Sequence, residues 1–158
     1  MEQTILNGEV QVKEEYTQYI VIRLGAENFG IDIKHVDNIV RMQRMTRVPK
    51  VPAYIRGVIN LRGEVIPVIS LRVKFGLEPD VEQKSTRIII LKTEQDGNVG
   101  VMVDEVKEVV TLGESQVDKV APDARESKIG HVIGVGKYQN ELVSILDMAC
   151  ISLEEQEA

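Results

Sequence analysis

Tryptophan is absent from this sequence, and aromatic residues make up only 4% of it. A barrel that grips single-stranded nucleic acid stacks bases on aromatic rings, and few rings are available. Positive charge is also short, with 19 Lys and Arg against 25 Asp and Glu and a net charge of −6. Broad binding to a phosphate backbone needs the opposite balance. Cys150 is the only cysteine, so no intramolecular disulfide can form. Its setting, Met148-Ala149-Cys150-Ile151, is that of a small buried hydrophobe, and a reducing compartment fits it. No unbroken apolar run exceeds about four residues, against the roughly twenty that a membrane span needs. The N-terminus lacks the basic and apolar regions of a signal peptide. The expectation is a soluble, cytoplasmic chain without direct membrane insertion.

Catalytic and metal-binding patterns are missing too. His35 and His131 are the only histidines, and neither lies at metal-ligand spacing from a cysteine or the other histidine. Gly134-Val135-Gly136-Lys137 is not a phosphate loop. The position five before Gly136 is His131, and Tyr138 stands where Ser or Thr would hold magnesium. Gln139 takes the place of the third glycine of a dinucleotide fingerprint. Ser70 and Ser144 lack a Gly-x-Ser-x-Gly frame. Asp104-Glu105 reads as solvated surface. No residue is nominated as catalytic, cofactor-binding or metal-ligating.

What the chain does have is valine and isoleucine. β-Branched side chains are stiff at χ1 and pack well on a pleated surface, so at 158 residues the expectation is one all-β domain. Residues 1–15 show no period and read as a flexible tail. Tyr16–Leu24 is a first strand, Gly25–Asn28 a turn, and Phe29-Gly30-Ile31 the return. Asp32 is placed to cap a short helix, with Ile33, Val36 and Val40 on one face. Met45–Val48 is a further strand stopped by Pro49. Arg56–Leu71 forms a hairpin whose turn, Asn60-Leu61-Arg62-Gly63, holds a glycine suited to φ > 0 and presents Arg62 at its tip. Lys74–Thr86 is a connector. Asp147 caps a C-terminal helix with Leu146, Ala149, Cys150 and Leu153 on one face, and residues 154–158 fray because glutamates sit at the wrong end of the macrodipole. Arg41, Arg44, Arg47 and Lys50 form a local basic cluster, either a protein-contact surface or a solvated face.

The pattern then recurs. Arg87–Lys92 is a strand like the first. Gly100–Val110 lies over Gly30–Val40 at an offset of 70 positions, and Glu141–Leu146 lies over Glu64–Ile69 at an offset of 77. Lys137-Tyr138-Gln139-Asn140 occupies the place of the Asn60–Gly63 turn. Two related units of roughly sixty residues, about 16–75 and 87–148, are too small to be stable alone and should pack against each other, with exchange of strands between them left open. Strands this short suit small barrels or a sandwich. With no nominated chemistry, a groove between two such units points to protein binding. A nucleic-acid-binding small barrel is the alternative, disfavoured by the charge.

Phe29-Gly30-Ile31-Asp32-Ile33, Thr46-Arg47-Val48-Pro49, Ala53–Gly63 and Pro67-Val68-Ile69-Ser70-Leu71-Arg72 resemble the chemotaxis coupling protein family, CheW. The resemblance runs from about Tyr16 to Leu153, as a single domain of residues 16–153. It implies two packed SH3-like five-stranded β-barrels sharing an apolar core, with no catalysis and no cofactor. It implies an adaptor between methyl-accepting chemotaxis receptors and the histidine kinase CheA in membrane-associated arrays. The kinase's C-terminal regulatory domain pairs barrel to barrel with the adaptor, and the receptor's cytoplasmic helical tip enters the groove between barrels. By matching position, Val36, Gly57 and Arg62 fall on the receptor side, with Asn60 and Leu61 shaping the turn. Asn38 and Ile39 belong to the same edge; the family often carries an acidic residue where this chain has Asn38, and Asp37 is adjacent. Met45 and Val48 fall on the kinase side.

Overall fold

The computed structural model describes residues 3–6, 9–12, 14–120, 131–151 and 153, with 3–12 and Cys150 described by their backbone alone. The stretch expected to be a tail holds two paired strands, β1 (Gln3–Leu6) and β2 (Glu9–Val12), in a small sheet of their own. The body is built from β3 (Tyr16–Leu24), β4 (Glu27–Asp32), β5 (Val36–Arg41), β6 (Ile55–Leu61), β7 (Glu64–Ser70), β8 (Arg87–Thr93), β9 (Gly97–Val103), β10 (Glu105–Gly113), β11 (Val117–Lys119), β12 (Val132–Tyr138) and β13 (Glu141–Leu146). One α-helical turn, α1 (Leu71–Lys74), follows β7.

These strands make two sheets, the first in the order β10-β3-β4-β13-β12-β11 and the second in the order β5-β8-β9-β7-β6. They are two SH3-like barrels, the first carrying a sixth, three-residue strand. Each half of the chain supplies strands to both. The leading hairpin β3–β4 of residues 16–75 joins β10–β13, and the leading hairpin β8–β9 of residues 87–148 joins β5–β7. Each exchanged hairpin is held by an antiparallel pairing, β3 with β10 or β8 with β5, and by a parallel one. Val143, Ser144 and Ile145 pair with Asn28, Phe29 and Gly30, and Val68, Ile69 and Ser70 pair with Gly100, Val101 and Met102.

Strand alternation sorts the apolar residues into three clusters. Ile20 and Ile22 of β3 and Ile89 and Leu91 of β8 face a shared core with Leu24, Phe29, Ile31, Ile69, Val99 and Val101. Val21 faces the interior of the first barrel with Val110, Leu112, Val143 and Ile145. Ile88 and Ile90 face the interior of the second with Ile59, Ile66, Val68 and Met102. The runs Tyr19–Ile22 and Ile88–Leu91 are continuously apolar because both faces of these strands are covered.

The internal repeat is present in detail. Irregular register occurs between Val36 and Asn38 and again, 70 positions on, between Val106 and Glu108; likewise between Ile55 and Gly57 and, 77 positions on, between Val132 and Gly134. Asn98 Nδ2 donates to Glu64 at 3.2 Å, and Asn28 Nδ2 donates to Glu141 at 3.2 Å, which is the same contact at repeat-related positions.

Three further expectations are corrected. Asp32 does cap a turn, its Oδ1 accepting from the Lys34 amide at 3.0 Å, but that turn is a single 3₁₀ turn, Ile33–His35, and Val36–Arg41 is strand. Met45–Val48 is not a strand; Thr46 alone bridges to Val58, through bonds of 2.9 and 2.8 Å. The C-terminal helix is a 3₁₀ turn, Met148–Ile151, with Asp147 Oδ1 accepting from the Ala149 amide at 3.0 Å. The side chain of Cys150 and the fraying expected over 154–158 lie outside the described residues.

Candidate functional site

The β6–β7 hairpin has a two-residue turn. Leu61 pairs with Glu64, so Arg62 and Gly63 are its central residues, with φ of 54° and 83°. Positive φ at both positions is the requirement of a type I′ turn, whose twist matches that of the strands. Asn60 Oδ1 accepts from the Gly63 amide at 3.1 Å and closes the turn. Leu61 points inward onto the second barrel's interior cluster, anchoring the tip while the Arg62 side chain stays exposed. The equivalent β12–β13 turn uses Gln139 and Asn140 at φ of 48° and 64°. The backbone device is thus repeated, and the arginine is not.

Gly57, behind the tip, is buried, and a Cβ there would lie 2.6 Å from the Thr46 carbonyl oxygen. Its lack of a side chain lets the 45–48 segment bridge to β6. Val36, Asn38 and Ile39 lie on β5, at the other end of the same sheet. Val36 packs on the shared core, Asn38 is half-buried, and Ile39 is 37% exposed. At the irregularity of β5 sits Asp37, exposed. Its repeat equivalent is Lys107, whose Nζ lies 3.5 Å from Glu141 Oε2 and 3.5 Å from Asn28 Oδ1. Glu64 corresponds to Glu141, so this lysine–glutamate pair has no counterpart on the second barrel among the described residues, where Asp37 stands in place of the lysine.

Beneath the bridging segment lies a groove of about 980 Å³. Met42, Met45, Val48, Pro49, Pro52 and Ile55 give it apolar walls, and Arg47, Lys50 and Arg56 line it against one carboxylate, Glu82. Met45 is half-buried on the second barrel's interior cluster, and Val48 is 38% exposed. The described hydrogen bonds and ion pairs include no carboxylate partner for Arg47, Lys50 or Arg56. Of the basic cluster seen in the sequence, Arg47 and Lys50 belong to this concave surface and Arg41 and Arg44 do not line it, while Arg56 is a member the sequence reading missed.

A model of the CheW-like domain matches residues 18–155. The chain belongs to the CheW-like domain family. Among curated relatives it is 37% identical over 133 residues to chemotaxis protein CheW of Helicobacter pylori, covering 84% of this chain and 79% of that one. It is also 37% identical over 142 residues to chemotaxis protein CheW of Bacillus subtilis, covering 90% and 88%. Among solved structures it resembles the scaffolding protein TtCheW from Thermoanaerobacter tengcongensis, with a TM-score of 0.75 and 31% identity over 85% of this chain and 86% of that chain.

Within this CheW-like frame, Val36, Asn38, Ile39, Gly57, Asn60, Leu61 and Arg62 all lie on one barrel. Arg62, Asn60 and Ile39 are exposed; Asn60 and Leu61 hold the turn that presents the arginine, and Gly57 makes room for the Thr46 bridge. No helix among the described residues is long and apolar enough to cross a membrane, and no three of their His, Cys, Asp or Glu side chains are grouped to hold a metal ion. His131 stacks on Phe75, ring centroids 6.0 Å apart; burial, with Lys74 nearby, holds its pKa below the usual histidine value.

Asp104, expected to be solvated surface, is instead a junction between the barrels. Arg72 Nε and Nη2 donate to its two carboxylate oxygens at 2.8 and 2.6 Å, and the Gly25 amide donates to Oδ2 at 2.8 Å. Arg23 reaches Glu105 at 3.1 Å beside it. These bonds tie the β3–β4 turn to α1 and the end of β9. The Arg72 hydrogen bonds hold the Asp104 carboxyl below the usual carboxylate range, and the same pairing raises the arginine. No sequence signal marks a pair 32 positions apart; only the strand exchange brings it together.

Proposed function

We propose that this CheW-like protein is a non-enzymatic adaptor that couples methyl-accepting chemotaxis receptors to the histidine kinase CheA. The observation that carries this reading is the family match along residues 18–155. The receptor's cytoplasmic tip meets the second barrel, with Arg62 and Ile39 as contact residues, Val36 and Asn38 beside them, and Gly57, Asn60 and Leu61 holding the geometry. A guanidinium on a rigid turn suits this role, because its five donors stay charged and in a fixed fork, and little conformational freedom is lost on binding. The regulatory domain of CheA meets the surface around Met45 and Val48. The adaptor works in the cytoplasm and is recruited to receptor arrays through these two contacts.

The test mixes the protein with the CheA regulatory domain and a receptor-tip fragment, and follows mass by size-exclusion chromatography with light scattering. Co-migration with each partner separately, and with both together, is expected. Failure to bind either one at tens of micromolar defeats the reading.

A further inference from the structure

We infer that Glu64 and Asn98 of the second barrel form a seat for a basic side chain, lysine or arginine, supplied by a protein partner. The internal repeat provides the template. In the first barrel Asn28 Nδ2 donates to Glu141 Oε2 at 3.2 Å, and Lys107 Nζ lies 3.5 Å from Glu141 Oε2 and 3.5 Å from Asn28 Oδ1. One ammonium thus meets two acceptors, a carboxylate and an amide carbonyl. In the second barrel Asn98 Nδ2 donates to Glu64 at 3.2 and 3.3 Å. The backbone beneath is in the same register, with Ile145 paired to Gly30 and Val68 to Gly100. The asparagine and the glutamate therefore hold each other in place before any cation arrives, which lowers the cost of binding one.

Only the cation differs between the two barrels. Lys107 is the unpaired residue at the irregularity of β10, and Asp37 is the unpaired residue at the irregularity of β5. The exchange of base for acid removes the internal partner and puts a negative charge in its place. No other cation of the described residues replaces it. Lys92 pairs with Asn98 across the strands, yet the described ion pairs include none for Lys92, Glu64 or Asp37. The counterpart of Lys92 is Arg23, which pairs with Asn28 and turns to Glu105 at 3.1 Å. Glu64 is exposed and Asn98 half-buried, so the seat is open to a partner. A charged donor arriving there gains the acceptors that Lys107 has in the first barrel.

The seat adjoins the surface that presents Arg62. Glu64 pairs with Leu61 directly across the turn, and Asp37 lies between Val36 and Asn38. Identification of the partner as the receptor's cytoplasmic tip rests on the reading given above. On that reading the tip brings an acidic group to Arg62 and a basic one to Glu64. Opposite charges side by side fix the register of a partner and reject one that offers a single sign.

The experiment has two arms. The first needs no partner. Asp37→Lys restores a lysine at the template position, and the seat should capture it. In ¹⁵N-lysine spectra of the full chain, the introduced ammonium should shift when Glu64→Gln is added, as the Lys107 ammonium should with Glu141→Gln. An introduced ammonium indifferent to Glu64→Gln overturns the proposal. The second arm titrates the full chain with a receptor-tip fragment. Glu64→Gln should weaken binding about two- to fivefold, the range of an exposed ion pair, and the difference should fade in about 0.5 M salt. Glu141→Gln, on the first barrel, should change nothing. Asp37→Lys should also weaken binding, and Glu64→Gln added to it should cost little more, because the internal lysine already fills the seat. Equal affinities of the parent and Glu64→Gln at low salt overturn the proposal. So does self-association of the parent that Glu64→Gln abolishes, which places the basic group on a second copy. A parent that does not bind the tip defeats the adaptor reading, and the first arm then decides the seat alone.

Discussion

Arg62 is held at φ 54°, a region in which a side chain with a Cβ costs roughly 1 kcal/mol or more. The sequence made the glycine of this turn legible, because a tight hairpin needs positive φ somewhere. It did not reveal that the arginine shares the burden, since a type I′ turn requires two such residues and arginine is not among those favoured there. Replacement of Arg62 by Ala leaves the backbone cost in place and removes only an exposed side chain. Stability should stay within about 0.5 kcal/mol in urea unfolding, while receptor-tip binding weakens. Unchanged receptor affinity would reduce the turn to a solubilising hairpin. Arg62→Asn should go further, stabilising the fold by up to about 1 kcal/mol because asparagine tolerates the left-handed region, yet losing receptor affinity like the Ala variant. Gly57 and Gly134 make a matched pair for a different question. A Cβ at Gly57 meets backbone, the Thr46 carbonyl oxygen at 2.6 Å, whereas one at Gly134 meets a side-chain methyl of Val117 at 2.9 Å. Gly57→Ala should therefore cost about 1–3 kcal/mol and Gly134→Ala clearly less, since a valine can shift and a bridged backbone cannot. Comparable losses in the denaturation midpoints would contradict this account of why the 45–48 segment needs glycine beneath it.

Among elements, β5 explains the largest misreading. Ile33, Val36 and Val40 fall at helical spacing, and the segment follows a good cap. The spacing has another origin. The register shifts between Val36 and Asn38, and an extra residue at a bulge turns the strand over. Val36 then faces the shared core and Val40 the interior of the second barrel, so one strand serves two cores and its apolar residues lose the two-residue period. Strands without such a break, β3, β7 and β8, were readable because each holds a dense run rich in valine and isoleucine. The Arg72–Asp104 junction was unreadable for the opposite reason: each residue has an ordinary polar setting in sequence, and the partnership exists only through the pairing of β7 with β9 from the other half of the chain. Its chemistry yields a prediction with a definite pH sense. The Asp104 carboxyl titrates lower in the folded protein than in the unfolded chain. Its contribution is therefore fully present above the unfolded value, near pH 4, and is lost as pH falls through the folded value. Asp104→Asn removes the charge that Arg72 meets with two hydrogen bonds. Neutral-pH stability should fall by about 1–3 kcal/mol, and the difference from the parent should shrink as unfolding is measured at progressively lower pH below 4. A gap that stays constant down to pH 2 would mean that the carboxylate's charge is not what the junction uses.

At the scale of the whole molecule, the two units seen in the sequence and the two barrels seen in space are not the same objects. The repeat was legible because local pattern repeats: the same bulges and the same turn recur 70 and 77 positions on. Which strands pair was not, because each barrel closes through a parallel contact between segments more than thirty residues apart, β7 with β9 and β4 with β13, and hydrophobic pattern does not encode partner choice at that distance. The exchange has a consequence for folding. Residues 16–75 alone contain β5, β6 and β7 but not β8 and β9, which lie between them in the second sheet. Residues 87–148 alone contain β10 to β13 but lack β3 and β4, which join them in the first. Neither half can make its own barrel in the native pairing, and each would leave the apolar faces of Ile20 and Ile22, or of Ile89 and Leu91, without the partner sheet that covers them. Separately produced fragments 1–80 and 81–158 should therefore show little amide dispersion and no cooperative thermal transition, and should recover both when mixed at equimolar ratio, with one-to-one mass by light scattering. Folding of either fragment on its own as a monomer would mean that a half can close a barrel with non-native pairings. The exchanged hairpins would then be a feature of assembly order, and not what makes the two barrels one cooperative unit.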